Sequence, residues 1–265
     1  VSEVGVQIQQ ADIINDLSQA YIFDTRAEMQ TNTIVFPVGK KLKTNGGRFV
    51  NDGYGASYIV STGPSPNLGS PDLTDGLHAE LQSEGGAFSF GQFGGDTSLP
   101  DNTDSWNSAI IYAKENNYKM IVCGDYSFTQ TVHFMSGDYT VDMTGGSIIT
   151  GGSVVNGVTI GDTGDSTFNG KIFGLNVRKL TINSGLTDYG IVYRNMAEAY
   201  IENPYSENFD TSFYVSPGLS ERVAYVTTVN AKGFNHVFGI WFEPKQTGYS
   251  NENTFIGGRM HVSLG

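Results

Sequence analysis

The chain has 265 residues, which allows one or two domains and a sizeable core. Charged residues make up only 16%, below the usual figure of about 25%, and the 34 glycines are nearly twice the average usage of about 7%, a profile that excludes a helical bundle and disorder. The net charge of −12 argues against nucleic acid as a partner, because an acidic chain repels phosphate backbones, and the single Cys123 excludes an internal disulfide and a cysteine zinc site.

Val6, Gln10, Ile13, Leu17 and Ala20 recur at alternating spacings of four and three, the rhythm of a helix that packs on copies of itself. Residues 1–20 therefore read as a short N-terminal helical stalk, or else as one amphipathic helix lying on its own domain. The start VSEVGVQIQQ lacks the basic and apolar regions of a signal peptide, and no stretch approaches the roughly 18 consecutive apolar residues of a membrane span. The missing initiator Met and the end at HVSLG point to a fragment or a processed piece. Thr25-Arg26-Ala27-Glu28 is a capping-box pattern that opens a short helical turn. The following TIVFPVGKKLKTNGGRFVNDGYGASYIV reads as short strands punctuated by Gly, so residues 21–85 form a small α+β connector module. Within it, STGPSPNLGSPDLTDG at 61–76 is a loop predicted to end in a short helix holding Leu77, Ala79 and Leu81.

After the boundary near Gly85 comes the one long helix, DSWNSAIIYAKENN, with Asp104 as its cap and Trp106, Ala109, Ile110 and Ala113 at the spacing of one buried face. Beyond Tyr118 the helical period vanishes, and short apolar runs alternate with Gly, Asn and Asp. Asn punctuation recurs at Asn183, Asn203 and Asn230, spacings of 20 and 27 residues. A unit of that length, built of two or three strands with no helix between them, cannot bury its apolar face except by stacking on the next unit. Residues 86–265 therefore read as a parallel β-helix. The rival, an antiparallel sandwich or jelly roll, would use hairpin turns such as Asn156-Gly157, Asn45-Gly46 or Asn169-Gly170. The three punctuating Asn residues read as structural, since turn Asn side chains can hydrogen-bond backbone groups and one another from coil to coil.

Four segments resemble bacteriophage tailspike, tail-fibre and appendage proteins that carry a pectate-lyase-like parallel β-helix. DTRAEM with GKKLKTNGGRFVNDGYGASYIV is similar to the small module that often precedes that β-helix, through Thr25, Ala27, Glu28, Met29, Gly39, Thr44, Asp52, Gly53, Gly55, Ala56 and Tyr58; Tyr54 interrupts the usual glycine run. FGQFGGD with PDNTDSWNSAI looks like the entry signature, in Gly95, Asp96, Asp101, Thr103, Trp106 and Ala109. VCGDYSF resembles the element that begins the coils, with Gly124 and Tyr126, and Cys123 where a proline is common; NENTFIGGR, from Asn251 to Arg259, is similar to a coil corner. Together they cover 62 residues, and none is a catalytic motif. The resemblance implies an all-β chain with a right-handed, pectate-lyase-like parallel β-helix, a homotrimer in a phage tail, attachment to other tail or baseplate proteins, and a bacterial surface polysaccharide or teichoic acid as ligand.

Cleaving such a polymer by hydrolysis takes two carboxylates about 5 to 9.5 Å apart. Asp188, Glu198, Glu202, Glu207, Asp210, Glu221, Glu243 and Glu252 are available. Glu207 and Asp210 in YSENFDTSF lie close in sequence beside Tyr205, Phe209 and Phe213, at a turn where a sugar can stack on an aromatic face, and they are the catalytic candidates, although most carboxylates of an acidic chain are solvated surface groups. Tyr205 and Trp241 are the candidate substrate-binding residues; Trp241 in FGIWFEP either packs in the lumen, the commoner fate, or stands out as a sugar platform. A lyase would instead use a Lys, Arg, His or Tyr base, while His133 and His236, isolated on apolar strands, suit local hydrogen bonds. The negative charge fits poorly with an acidic capsule; a neutral polymer, or a locally basic groove near Arg178, Lys179 and Arg194, would ease that conflict. The scattered histidines and the lack of calcium-loop, Walker or Rossmann spacing indicate no metal and no cofactor. The functional readings are a depolymerase, a non-catalytic adaptor or receptor-binding fibre using the β-helix as a rigid spacer, and a secreted lyase or hydrolase; the stalk and the DTRAEM module favour the first two.

Overall fold

The computed structural model describes residue 14 and residues 16–47, 53–162, 166–181, 188–217, 221–243 and 249–262. They divide into two compact units, one up to Gly94 and one from Gly95. Most of the stalk region, residues 1–13 and 15, lies outside the described residues, as does Asn183; Ala20 already opens a strand.

The first unit is a four-stranded sheet of β1 (Ala20–Phe23), β2 (Lys41–Thr44), β3 (Ser57–Thr62) and β4 (Leu77–Gln82), in that order, with β1 parallel to β2 and the other pairs antiparallel. Leu42, Tyr58, Val60, Ala79 and Leu81 are buried on it. Between β1 and β2 runs α1 (Arg26–Thr31), whose cap Thr25 accepts the Glu28 N–H at 3.2 Å, as the capping-box pattern predicts. The return bond falls one residue early, from the Asp24 N–H to the Glu28 carboxylate at 2.8 Å. The predicted helix at Leu77, Ala79 and Leu81 is instead β4. Those positions are two apart, the period of a strand, and Ser57–Thr62 supplies an antiparallel partner at every step. A short strand, β5 (Ala87–Ser89), follows.

The second unit begins with α2 (Thr103–Asn116), which packs against the strands β6 (Lys119–Phe128) and β7 (Val132–Phe134). Its N-cap is Asn102 rather than Asp104, which sits in the first turn; Asp101 fixes the entry by accepting the Thr103 hydroxyl at 2.6 Å. Trp106 is buried, with its ring edge-on to Phe128 and Phe134 at centroid distances of 5.8 and 5.2 Å, and its indole N–H donates to the His133 carbonyl at 3.0 Å.

The remaining strands stack in four columns. The first column holds β8 (Thr140–Thr150), β10 (Lys171–Phe173), β14 (Tyr200–Glu202), β18 (Thr227–Val229) and β22 (Thr254–Ile256). The second, sharing the long β6 and β8, holds β11 (Asn176–Lys179), β15 (Tyr205–Glu207), β19 (Lys232–His236) and β23 (Arg259–Val262). The third is β7, β9 (Asn156–Ile160), β12 (Tyr189–Tyr193), β16 (Thr211–Val215) and β20 (Phe238–Phe242), and the fourth is β13 (Met196–Ala197), β17 (Arg222–Ala224) and β21 (Tyr249–Asn251). Every pairing between columns' neighbours in this unit is parallel, as in Tyr200 to Thr227 to Thr254 and Tyr205 to Lys232 to Arg259, steps of 27 residues. Parallel neighbours joined through a full turn of chain without a crossover helix make a parallel β-helix, and the sandwich is excluded. Asn156-Gly157 lies inside β9 rather than in a hairpin; a Cβ on Gly157 would come within 2.7 Å of the Phe209 ring, so glycine here admits a lumen side chain.

Positive φ recurs at the corners of the coils. Gly174, Asn203, Asn230 and Gly257 occupy the same corner in successive coils with φ of 64°, 52°, 55° and 66°. Only glycine and asparagine adopt that conformation readily. Asn230 donates to the Asn203 side-chain oxygen at 3.2 Å, and Asn235 does the same to Asn208 at 2.7 Å at the next corner.

Candidate functional site

Strand alternation turns Val177, Ser206 and Gly233 of the second column inward and leaves Asn176, Arg178, Tyr205, Glu207, Lys232, Phe234, Arg259 and His261 on its outer face. Register sets Arg178 beside Glu207, Nε to Oε2 3.8 Å, and its guanidinium 5.8 Å from the Tyr205 ring centroid. Burial and the Glu207 charge hold the Tyr205 hydroxyl above its ordinary pKa. One coil on, the Phe234 ring stacks on His261 at 4.9 Å. At the corner after β15, the chain passes through left-handed Asn208 and buried Phe209 to reach Asp210. The Asp210 N–H donates to the Asp188 carboxylate at 2.6 Å, and Asp188 forms a fully buried ion pair with Lys179. Burial, then the Asp188 charge, raises the Asp210 carboxyl above the usual range. Glu207 and Asp210, neighbours in sequence, thus have different partners: Arg178 and Tyr205 for one, Asp188 for the other.

The third column carries an aromatic ladder. Tyr189 lies flat on Tyr214 at 4.0 Å, and Trp241 meets Tyr214 edge-on at 6.5 Å and Phe238 at 4.9 Å. Trp241 pairs in register with Tyr214, between positions that pair with buried Phe213 and Val215, so it lies on the outer face of the column. The Tyr214 hydroxyl donates to the Glu243 carboxylate, which also accepts the Ser216 hydroxyl at 3.0 Å. Burial together with that bond to Glu243 pushes the Tyr214 hydroxyl well up from its ordinary value, fixing it as a donor. The stacked Tyr189 and Tyr214 and the edge-on Trp241, partly open to water, form an apolar strip against which pyranose rings can pack.

No protein-family model matches the sequence, and no curated protein matches it. Solved structures do. WceF of Pantoea stewartii, a glycan biofilm-modifying enzyme with a bacteriophage tailspike-like parallel β-helix fold, superposes with a TM-score of 0.55 at 11% identity, over 92% of this chain and 41% of that one. The fold is tailspike-like. The tailspike gp49 of the Acinetobacter baumannii bacteriophage Fri1, a capsular polysaccharide depolymerase, gives a TM-score of 0.43 at 11% identity over 91% of this chain and 61% of that one. The enzymatically active domain of tailspike protein 4 of bacteriophage CBA120 gives 0.39 at 11% identity over 99% and 48%. This chain therefore spans from 41% to 61% of the lengths of these structures.

The other residues singled out from sequence disperse over the tailspike-like β-helix. Lys179 is buried against Asp188, and Arg194 pairs with Glu221 at 2.9 Å, so the basic groove expected at Arg178, Lys179 and Arg194 does not form; an inward strand position took Lys179 into the lumen. His236 is buried, and burial holds its imidazole below the ordinary pKa. Among the described residues, no three His, Cys, Asp or Glu side chains gather as a metal site, and no helix is long and apolar enough to cross a membrane. In the first unit, a cleft lined by Lys43, Asn45, Gln82, Glu84 and Gln92 has no aromatic wall. Sequence reading missed Tyr189, Tyr214 and Glu243 as parts of one strip, because the coils joining them differ in length.

Proposed function

We propose that the chain is a phage tailspike-type receptor-binding β-helix that recognises a bacterial surface polysaccharide or teichoic acid, with the sugar chain lying along Tyr189, Tyr214 and Trp241. The observation that carries this reading is the half-exposed aromatic ladder of the third column. The tailspike-like fold supports it. In the same reading the protein works as a homotrimer on a virion tail, joined to other tail proteins, and meets its ligand at the host surface.

Depolymerisation takes Asp210 as the acid, because its raised carboxyl stays protonated to higher pH, with Glu207 as its partner and Tyr205 holding the substrate. A second reading, binding without cleavage, is favoured by the Arg178 pairing of Glu207 and by the separate surroundings of the two carboxylates. Incubating the full-length parent protein with purified host-surface glycans distinguishes them. Cleavage yields shorter oligosaccharides with new reducing or unsaturated ends, and Asp210→Asn abolishes it while binding persists. Trp241→Ala is expected to weaken binding about tenfold. Failure to bind any glycan overturns the proposal.

A further inference from the structure

We propose that the chain binds an anionic glycan, whose acidic groups lie on a ladder of two stacked cations on the outer face of the second column, Lys232 and Arg259. The inference rests on the glycan-binding reading above but uses a different face.

Three observations carry it. First, in-register pairing sets Lys232 beside Arg259, on adjacent strands about 4.8 Å apart, which juxtaposes two like charges. Second, the other cations of this unit with described ion pairs have carboxylate partners: Lys119 with Asp142 at 2.7 Å, Arg178 with Glu207, Lys179 with Asp188 and Arg194 with Glu221. Among the described residues, Lys232 and Arg259 have none and both are exposed; Lys171 and Arg222 are likewise exposed without an ion pair, but neither is stacked on a second cation. In a chain of net charge −12, two stacked cations without a counter-charge are an arrangement that an external anion relieves. Third, the stacked rings of Phe234 and His261 lie on the same two strands, two residues along from the cations. Cations flanking an apolar ring pair match a sugar that presents one face and one acidic group. The cation pair beside the rings suits a polymer that carries acidic groups, whether uronate carboxylates or teichoic phosphodiesters.

The test titrates the full chain with polygalacturonate, glycerol-phosphate teichoic acid and neutral dextran, at about 50 and 300 mM salt, by calorimetry or interferometry. At least one polyanion is expected to bind, with affinity falling as salt screens the contact. The double variant Lys232→Gln/Arg259→Gln is expected to lose about tenfold or more of that affinity while its thermal midpoint is unchanged. Loss with polygalacturonate alone identifies a carboxylate, loss with teichoic acid alone identifies a phosphodiester, and loss with both shows that charge suffices. Polyanion binding that the double variant leaves intact overturns the ladder. If only neutral glycan binds, through Trp241, this inference fails and the glycan reading stands; if nothing binds, both fail. Lys232→Glu/Arg259→Glu guards against a weak effect, since reversing the charges is expected to abolish polyanion binding outright.

Discussion

The buried pair of Lys179 and Asp188 is the most exposed point of the physical argument, because it both shapes the interior and sets the environment of Asp210. Lys179 is fully buried and Asp188 is 2% exposed. The Asp188 carboxylate receives two donors, the Lys179 ammonium on one oxygen and the Asp210 N–H on the other. The Lys179 ammonium also lies 5.5 Å from the Phe209 ring centroid. Replacing Lys179 with Met keeps the volume of the stem and removes the charge, leaving a carboxylate in the lumen with one donor. An uncompensated buried charge costs about 3–5 kcal/mol, a large part of the roughly 5–15 kcal/mol that holds a domain folded. Adding Asp188→Asn removes the stranded charge while its amide oxygen can still accept the Asp210 N–H, so the double variant is expected to regain about 2 kcal/mol or more of that loss. Both tryptophans, Trp106 and Trp241, belong to the second unit, so urea unfolding followed by tryptophan fluorescence reports on it directly. A Lys179→Met loss below about 1 kcal/mol, or a double variant as unstable as the single one, would refute the buried pair.

Trp106→Ala is expected to cost about 3–5 kcal/mol in the same assay, from cavity formation and the lost bond to His133, whereas Trp106→Phe keeps the ring contacts and loses less. At the corner, Asn230→Ala is expected to cost about 1–2 kcal/mol, since alanine is strained at φ 55° and cannot bond Asn203, while Asn230→Gly stays closer to the parent. The Asp210 carboxyl has a raised pKa in the folded chain, so its favourable contribution is complete below the unfolded value, near about 4, and is lost as pH rises through the raised one. Asp210→Asn, which cannot ionise, is therefore expected to match the parent's thermal midpoint at pH 3 and exceed it at pH 7; a lower midpoint at pH 7 alone counts against the assignment.

Much of the architecture was legible in the amino-acid pattern, and the site much less so. The face of α2 was readable because Trp106, Ala109, Ile110 and Ala113 keep one period, and all four are buried. Asn203 and Asn230 were readable because the coil between them has 27 residues, and Asn208 and Asn235 share that spacing and could have been found by it. Earlier coils differ: Asn156 pairs with Tyr189 and Tyr189 with Thr211, steps of 33 and 22 residues, so no single period aligns Tyr189 with Tyr214. Between Glu207 and Asp210 the left-handed Asn208 turns the chain at a corner, so proximity in sequence does not by itself say which groups each carboxylate meets. At Leu77, Ala79 and Leu81 the residue types suited a helix, and the antiparallel partner that made them a strand lay fifteen or more residues away.

The outward ribbons have a consequence for how such a chain changes over time. Coil-to-coil hydrogen bonds run through the main chain, and the interior and the corners hold the residues that shape it, so an outward side chain can be exchanged without altering the path of the strand. Under the proposed glycan-binding reading, ligand preference drifts one rung at a time, by point substitution at positions such as 214, 232, 241 and 259, with no insertion and no loss of the scaffold. The outward letters of the coil are thus replaceable while its frame is not.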